Sequence, residues 1–141
     1  MLLITSRRRG RWILPKGWPM SGLSLAGAAA REAEEEAGVA GEILAEPIGS
    51  YDYKKETQRG YKVQCRVFVY PLLVLHHSVA WNERTERTLR WLPLAEAARL
   101  VDDRGLRNLL GKLADDGGLS LLDLAASLSL SDRARDTTAP C

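Results

Sequence analysis

The stretch Pro15 to Val39, PKGWPMSGLSLAGAAAREAEEEAGV, constrains the fold of this chain more than any other. Gly17 and Gly22 permit backbone conformations that other residues resist, and Pro15 and Pro19 stiffen the path, so Pro15 to Gly22 reads as a loop of defined shape. Ser24 suits an N-cap, six alanines supply helix propensity, and Gly38 suits a C-terminal stop. Together they predict a helix over roughly Leu25 to Ala37. That helix carries Glu32, Glu34, Glu35 and Glu36. At ~100° per residue, Glu32 and Glu36 lie within about 40° of each other and Glu35 about 60° to the other side of Glu32. These three share a face, and Glu34 turns away into solvent. Like charges at this spacing repel, so the arrangement costs stability unless something cationic sits among them. A hard divalent cation, Mg²⁺ or Mn²⁺, suits such an oxygen-rich face, keeping waters and sharing substrate phosphates. The alternative is a surface helix that is merely rich in glutamate.

A chain of 141 residues is long enough for one domain with one sizeable core. Its 45% hydrophobic and 27% charged content argues against wholesale disorder. No apolar run reaches the ~18 residues of a membrane span, and Met1 to Thr5 is too short for a signal peptide. Cys65 and Cys141 stand at no metal-like spacing, which fits a reducing cytoplasm. The net charge of +2 is small but uneven. Arg7, Arg8, Arg9 and Arg11 flank the early strand, Lys54, Lys55, Arg59 and Lys62 surround a turn, and the acids gather at Glu32 to Glu36. A basic lining beside an acidic cluster suits a small anionic ligand bridged by metal; a nucleic-acid binder would be basic throughout. Lys16 and Arg11, beside the glycine loop, and Arg66, on the polar side of its strand, are candidates to hold phosphate oxygens. Solvated surface charge is the alternative for each.

Leu2 to Thr5 and Trp12 to Leu14 read as short strands around a Ser6 to Gly10 turn. A strand is expected over Ile43 to Tyr53, irregular around Pro47 and Gly49, then a polar turn over Lys54 to Gly60. Tyr61 to Tyr70 alternates and Leu72 to His76 continues it after Pro71. A charged loop over Trp81 to Thr88 precedes a short strand at Leu89 to Leu92. Helical periodicity covers Leu94 to Val101 and Leu106 to Ala114, and a short amphipathic helix is expected over Leu119 to Leu130. The expectation is one domain over 1–130 and a flexible tail over 131–141. Without regular βαβ alternation, the class is α+β, a mixed sheet with helices packed on it. Trp18, Tyr51, Tyr53 and Trp81 are open to base stacking or to plain packing. His76 and His77 read as surface residues.

The stretch from Gly17 to Val39 resembles the Nudix hydrolase signature, G-x5-E-x7-R-E-U-x-E-E-x-G-U with U aliphatic. Gly17 takes the first place, and Arg31-Glu32-Ala33-Glu34-Glu35-Glu36-Ala37-Gly38-Val39 takes the second half in register. The entry Trp12-Ile13-Leu14-Pro15-Lys16-Gly17 is similar to that of the branch containing diphosphoinositol polyphosphate and diadenosine polyphosphate hydrolases. The resemblance implies an α/β/α sandwich and metal-dependent cleavage of a phosphoanhydride. It implies Glu32 and Glu36 as main metal ligands and the Gly17 carbonyl completing the shell. Glu35 becomes a further ligand or general base, and Arg31 orients it. Glu83 or Glu86 is a candidate further ligand or base. ADP-ribose or other nucleotide sugars are substrates of second rank, and a catalytically silent nucleotide or polyphosphate sensor is the alternative class. Two departures stand out. Leu23 occupies the place of the early motif Glu, so Arg31 is expected to pair with Glu35 or a backbone carbonyl. Leu2 to Thr5 starts late, about one strand into the usual domain: either the real start lies upstream, or the fold does without that strand and leaves a sheet edge open to self-association as a homodimer.

Overall fold

A computed structural model describes residues 1–136, with side chains through 128. In chain order the elements are β1 Leu2–Thr5, β2 Trp12–Ile13, α1 Leu25–Ala37, β3 Val39–Ile43, β4 Gly49–Glu56 and β5 Lys62–Val69. They continue with β6 Leu72–His77, β7 Leu89–Trp91, α2 Leu94–Leu100, α3 Arg104–Asp115 and α4 Leu119–Asp136.

β1 is the spine. It pairs antiparallel with β2 on one side (Ile4 opposite Ile13) and with β7 on the other (Leu3 opposite Arg90). Its side chains alternate between two cores, as a strand buried on both faces requires. Leu3 points to one face and packs with Ala97, Val101, Leu106 and Leu110 from the α2–α3 region and with Tyr51 of β4. Leu2 and Ile4 point to the other and pack with Ala33 and Ala37 of α1 and with Val39. Helices therefore cover both faces of the strand layer, giving an α+β sandwich. The alanines on the inner face of α1 let its backbone lie close to β1, and this brings the glutamates near the end of that strand.

The other strands form two further antiparallel pairs, β3 with β6 and β4 with β5. Hydrogen bonding among the described residues thus gives three antiparallel groups; the single mixed sheet expected from the sequence needs a parallel pair, and none is present among them. The β3–β6 pair is irregular at Ala40/Gly41. A Cβ on Gly41 would sit 1.8 Å from the Leu73 carbonyl oxygen, so the close approach there requires glycine.

Three boundaries differ from expectation. The strand expected over Ile43 to Tyr53 covers only the last residue of β3, a loop over 44–48 that holds Pro47, and the first part of β4; β3 begins earlier, at Val39, and the two strands pair with different partners, β6 and β5. The hairpin turn sits later, closed by the Thr57 N–H to the Tyr61 carbonyl at 2.7 Å, with Gly60 at φ 81°. The last helix runs beyond Leu130 and lacks an apolar face: Leu119 and Leu122 are both exposed. The tail expected over 131–141 falls on residues whose side chains, or from 137 whose whole placement, lie outside the described residues. No helix among the described residues is long and apolar enough to cross a membrane.

Candidate active site

The loop and helix form as their residues dictate. Ser24 Oγ accepts the Gly27 N–H at 3.0 Å, which caps α1. Gly38 closes it in the left-handed region, φ 68°, and its N–H donates to the Glu34 carbonyl at 2.9 Å. Two glutamates then latch the preceding loop to the helix. Glu36 is buried, and its Oε2 accepts the Lys16 N–H at 3.1 Å. Glu32 lies against Gly17 so closely that a Cβ there would fall 2.0 Å from Glu32 Oε1. Glycine at this position makes room for a carboxylate.

Arg87 is the residue that sequence reasoning missed. Its side chain is 6% exposed and all three of its nitrogens are used. Nη2 donates to Glu36 Oε1 at 2.9 Å, Nε to Glu83 Oε2 at 2.6 Å, and Nη1 to the Thr5 carbonyl at 3.0 Å. One guanidinium thus joins the end of β1, the motif helix and the 81–88 loop. Glu83 is held from its backbone as well, its N–H donating to the Glu35 carbonyl at 3.2 Å. Arg7 reaches Glu83 at 3.5 Å and Glu86 at 3.7 Å. Glu86 sits at the outer edge of this network. The spacing of Glu83 and Arg87 was visible in the sequence, but it is the same for an exposed pair, and nothing local marked this arginine as the buried one.

Arg31 donates to Glu35 at 3.3 Å, the pairing expected once Leu23 replaced the early motif acid; Leu23 itself is exposed. Glu35 and Arg31 also line a cleft of about 420 Å³ with Ser78, Trp81 and Asn82. The charge balance around these acids is unfavourable. Burial, then the charges of Glu35 and Glu83, raise the Glu32 pKa. Burial lifts Glu36 to about 7 against the opposing pull of Arg87 and the Lys16 N–H, with Glu32 and Glu83 adding to the rise. Burial also lowers Lys16, while Glu36 partly restores it. No three Asp, Glu, His or Cys side chains among the described residues are gathered closely enough to hold a metal as they stand. The donor set nevertheless fits a hard divalent cation. It consists of carboxylates with the Gly17 backbone beside Glu32, and a cation would offset both the burial that chiefly raises Glu32 and Glu36 and the repulsion between acids that adds to it.

The phosphate-binding candidates separate. Lys16 is bonded through its backbone N–H to Glu36, and its Nζ lies 3.3 Å from Tyr53 Oη and 4.6 Å from that ring's centre. Arg11 is exposed at the turn before β2, its backbone N–H bonded to Ser6 Oγ. Arg66 pairs through two nitrogens with Asp52 at 2.9 and 3.2 Å. Since Asp52 and Arg66 are directly opposed and Tyr53 faces Cys65, strand alternation turns Arg66 to the face opposite Tyr53 and Lys16. The aromatics separate too. Tyr51 is core. Trp81 packs on Gly38 and lies 5.4 Å from His77, an exposed residue like His76. Trp18 is 59% exposed, with Lys55 Nζ 4.8 Å above its ring.

Fold and site together define a layered α+β domain organised around a loop–helix unit of carboxylates. The NUDIX domain family model matches residues 1–112. Nudix hydrolase 13, mitochondrial, from Arabidopsis thaliana is 30% identical over 145 residues, covering 94% of this chain and 70% of the relative. Nudix hydrolase 16, mitochondrial, from the same plant is 37% identical over 100 residues, 69% of this chain and 55% of the relative. Among solved structures, a C. elegans Ap4A hydrolase binary complex superposes with a TM-score of 0.58 at 22% identity, covering 83% of this chain and 85% of that one. A MutT protein from Methanosarcina mazei Go1 gives a TM-score of 0.56 at 21% identity, covering 82% and 83%. These two share the fold. The chain belongs to the Nudix hydrolase family.

Proposed function

We propose that this chain is a metal-dependent hydrolase that cleaves a phosphoanhydride bond in a small, highly charged substrate, a diphosphoinositol polyphosphate or a diadenosine polyphosphate first. The observation that supports it is the latch: Glu36 buried on the Lys16 N–H and Glu32 seated against Gly17. Glu32, Glu36 and Glu35, with the Gly17 carbonyl, are the residues to hold Mg²⁺ or Mn²⁺. Such an ion, when bound, supplies neutralisation of pyrophosphate charge and acidification of a water. Glu35 accepts the proton of the attacking water, and Arg31 fixes the orientation of its carboxylate. The Lys16 ammonium pairs with phosphate oxygens beside the loop. Arg11 adds charge at the rim. Catalysis of this kind is chiefly positioning and electrostatics, which a rigid loop–helix latch serves.

The reading places the protein in the cytoplasm, acting on small molecules and not on nucleic acid. It extends to a homodimer, though not through the edge expected beside Leu2 to Thr5, because β1 pairs with β2 and β7; among the described residues β6 pairs only with β3 and leaves Leu75 exposed. One observation favours a second reading, a silent polyphosphate sensor: the arginines already engage Glu35 and Glu36. Product release separates the two. The substrate panel is a diphosphoinositol polyphosphate, Ap4A (named for the nematode neighbour) and ADP-ribose, each with Mg²⁺ or Mn²⁺ and then with chelator. Turnover that needs metal and is lost in Glu35→Gln supports the hydrolase. Metal-insensitive binding without turnover supports the sensor.

A further inference from the structure

We infer that Arg87 is a positioning residue, a buried guanidinium from outside the motif that sets where the Glu36 and Glu83 carboxylates stand relative to each other. The inference rests on the metal-dependent reading above and adds to it a residue that no motif position supplies. Three features carry it. Each of the three guanidinium nitrogens is engaged inside the protein, on Glu36, Glu83 and the Thr5 carbonyl. It is almost fully buried, where charge-assisted hydrogen bonds hold their partners firmly. Its two carboxylate partners come from segments about fifty residues apart, the motif helix and the 81–88 loop.

A planar guanidinium with nitrogens pointing three ways orients both acids at once, which the single ammonium of lysine cannot do. Glu36 spends one oxygen on Arg87 and the other on the Lys16 N–H, so its plane is set from both sides. Glu83 is fixed by Arg87 on one oxygen and lies near Arg7 on the other. Outer partners of this kind orient metal-binding carboxylates, and losing one typically lowers metal affinity by about 10–100-fold.

The test compares wild type with Arg87→Lys, which keeps the charge and loses the fork. Mn²⁺ affinity is measured without substrate by titration calorimetry, on protein shown to be folded by circular dichroism. The expected result is an affinity lowered by about 10–100-fold. Turnover should fall in kcat, with KM for the phosphorylated substrate nearly unchanged, because Lys16 is untouched. A purely structural arginine would lower the melting temperature and leave Mn²⁺ affinity as it was; that result overturns the inference and leaves the hydrolase reading standing. Wild-type protein that binds no Mn²⁺ overturns both. Should Arg87→Lys not fold, the wild-type Arg87 Nε–H resonance is followed during Mg²⁺ titration. A shift that saturates with the metal-induced rise in melting temperature supports the inference, and a resonance that does not move overturns it.

Discussion

Gly17 and Glu32 contend for the same space, and this makes glycine the sensitive residue of the loop. A methyl group in Gly17→Ala would meet the carboxylate at 2.0 Å, so either Glu32 or the loop must move. Gly17→Ala is expected to lower Mn²⁺ affinity by about tenfold or more while costing little thermal stability, because the loop is not core. Calorimetry and a melting curve on the same sample check it, and an unchanged affinity would mean Glu32 is not a ligand. Glu36 gives a second prediction. Its pKa is raised to about 7, so the folded protein binds that proton more tightly than the unfolded chain does. Its contribution is therefore fully present below the ordinary carboxylate value and is lost as pH rises through about 7. In chelator, urea denaturation between about pH 5 and pH 8 should show stability declining by on the order of a few kcal/mol, and Glu36→Gln should flatten the slope. A slope that persists in Glu36→Gln would assign the proton elsewhere. That Glu32 and Glu36 share a face was legible from the 3.6-residue period alone. Arg87 was not, since burial of one arginine among several is decided by packing between distant segments.

Among the elements, α1 was the most legible and β3 the least, for related reasons. Ser24, the alanines and Gly38 are local signals whose meaning does not depend on tertiary contacts. The start of β3 at Val39, directly after Gly38, has no turn residues of its own, because the helix stop also serves as the strand entry. The gap over 44–48 was hidden because Pro47 and Gly49 suit an irregular strand as well as a loop. The amphipathic helix expected after Gly118 failed because leucine count was mistaken for leucine placement. Gly38 is where two elements and a side chain converge. Its φ of 68° favours glycine, and a Cβ there would stand 2.4 Å from the Trp81 ring. Gly38→Ala should therefore destabilise by about 2 kcal/mol or more, the left-handed penalty plus displacement of the indole. Ser24→Ala at the other end of the helix should cost about 1 kcal/mol. Chemical denaturation ranks the pair, and an equal or reversed order would show that Trp81 gives way freely.

Across the whole molecule, the β4–β5 hairpin is tied to the segment before α1 by charge. Arg9 meets Glu56 at 3.1 Å, Lys55 lies over Trp18, and Lys16 lies over Tyr53. The hairpin therefore sets Lys55 beside the loop that enters α1, as a basic rim to that loop, and the small net charge of +2 conceals how unevenly basic and acidic residues are distributed along the chain. Exposed charges act over roughly a Debye length, ~10 Å at 0.1 M salt, so this rim attracts polyanions in proportion to their charge and loses its hold as salt rises. The buried bonds of Arg87 and Glu36 are screened far less. Binding and chemistry should then part company. Raising NaCl from about 50 to about 300 mM is expected to raise KM for a diphosphoinositol polyphosphate several-fold, with kcat changing less than about twofold. ADP-ribose, with fewer charges, should respond less. Lys55→Ala should reduce the salt dependence without altering kcat, since Lys55 stands at the rim and touches neither Glu32 nor Glu36. Steady-state kinetics across the salt series decide it. A KM indifferent to salt would place substrate recognition in shape and not in the rim's field, and a kcat that falls with salt would mean the internal network is more open to solvent than its burial implies.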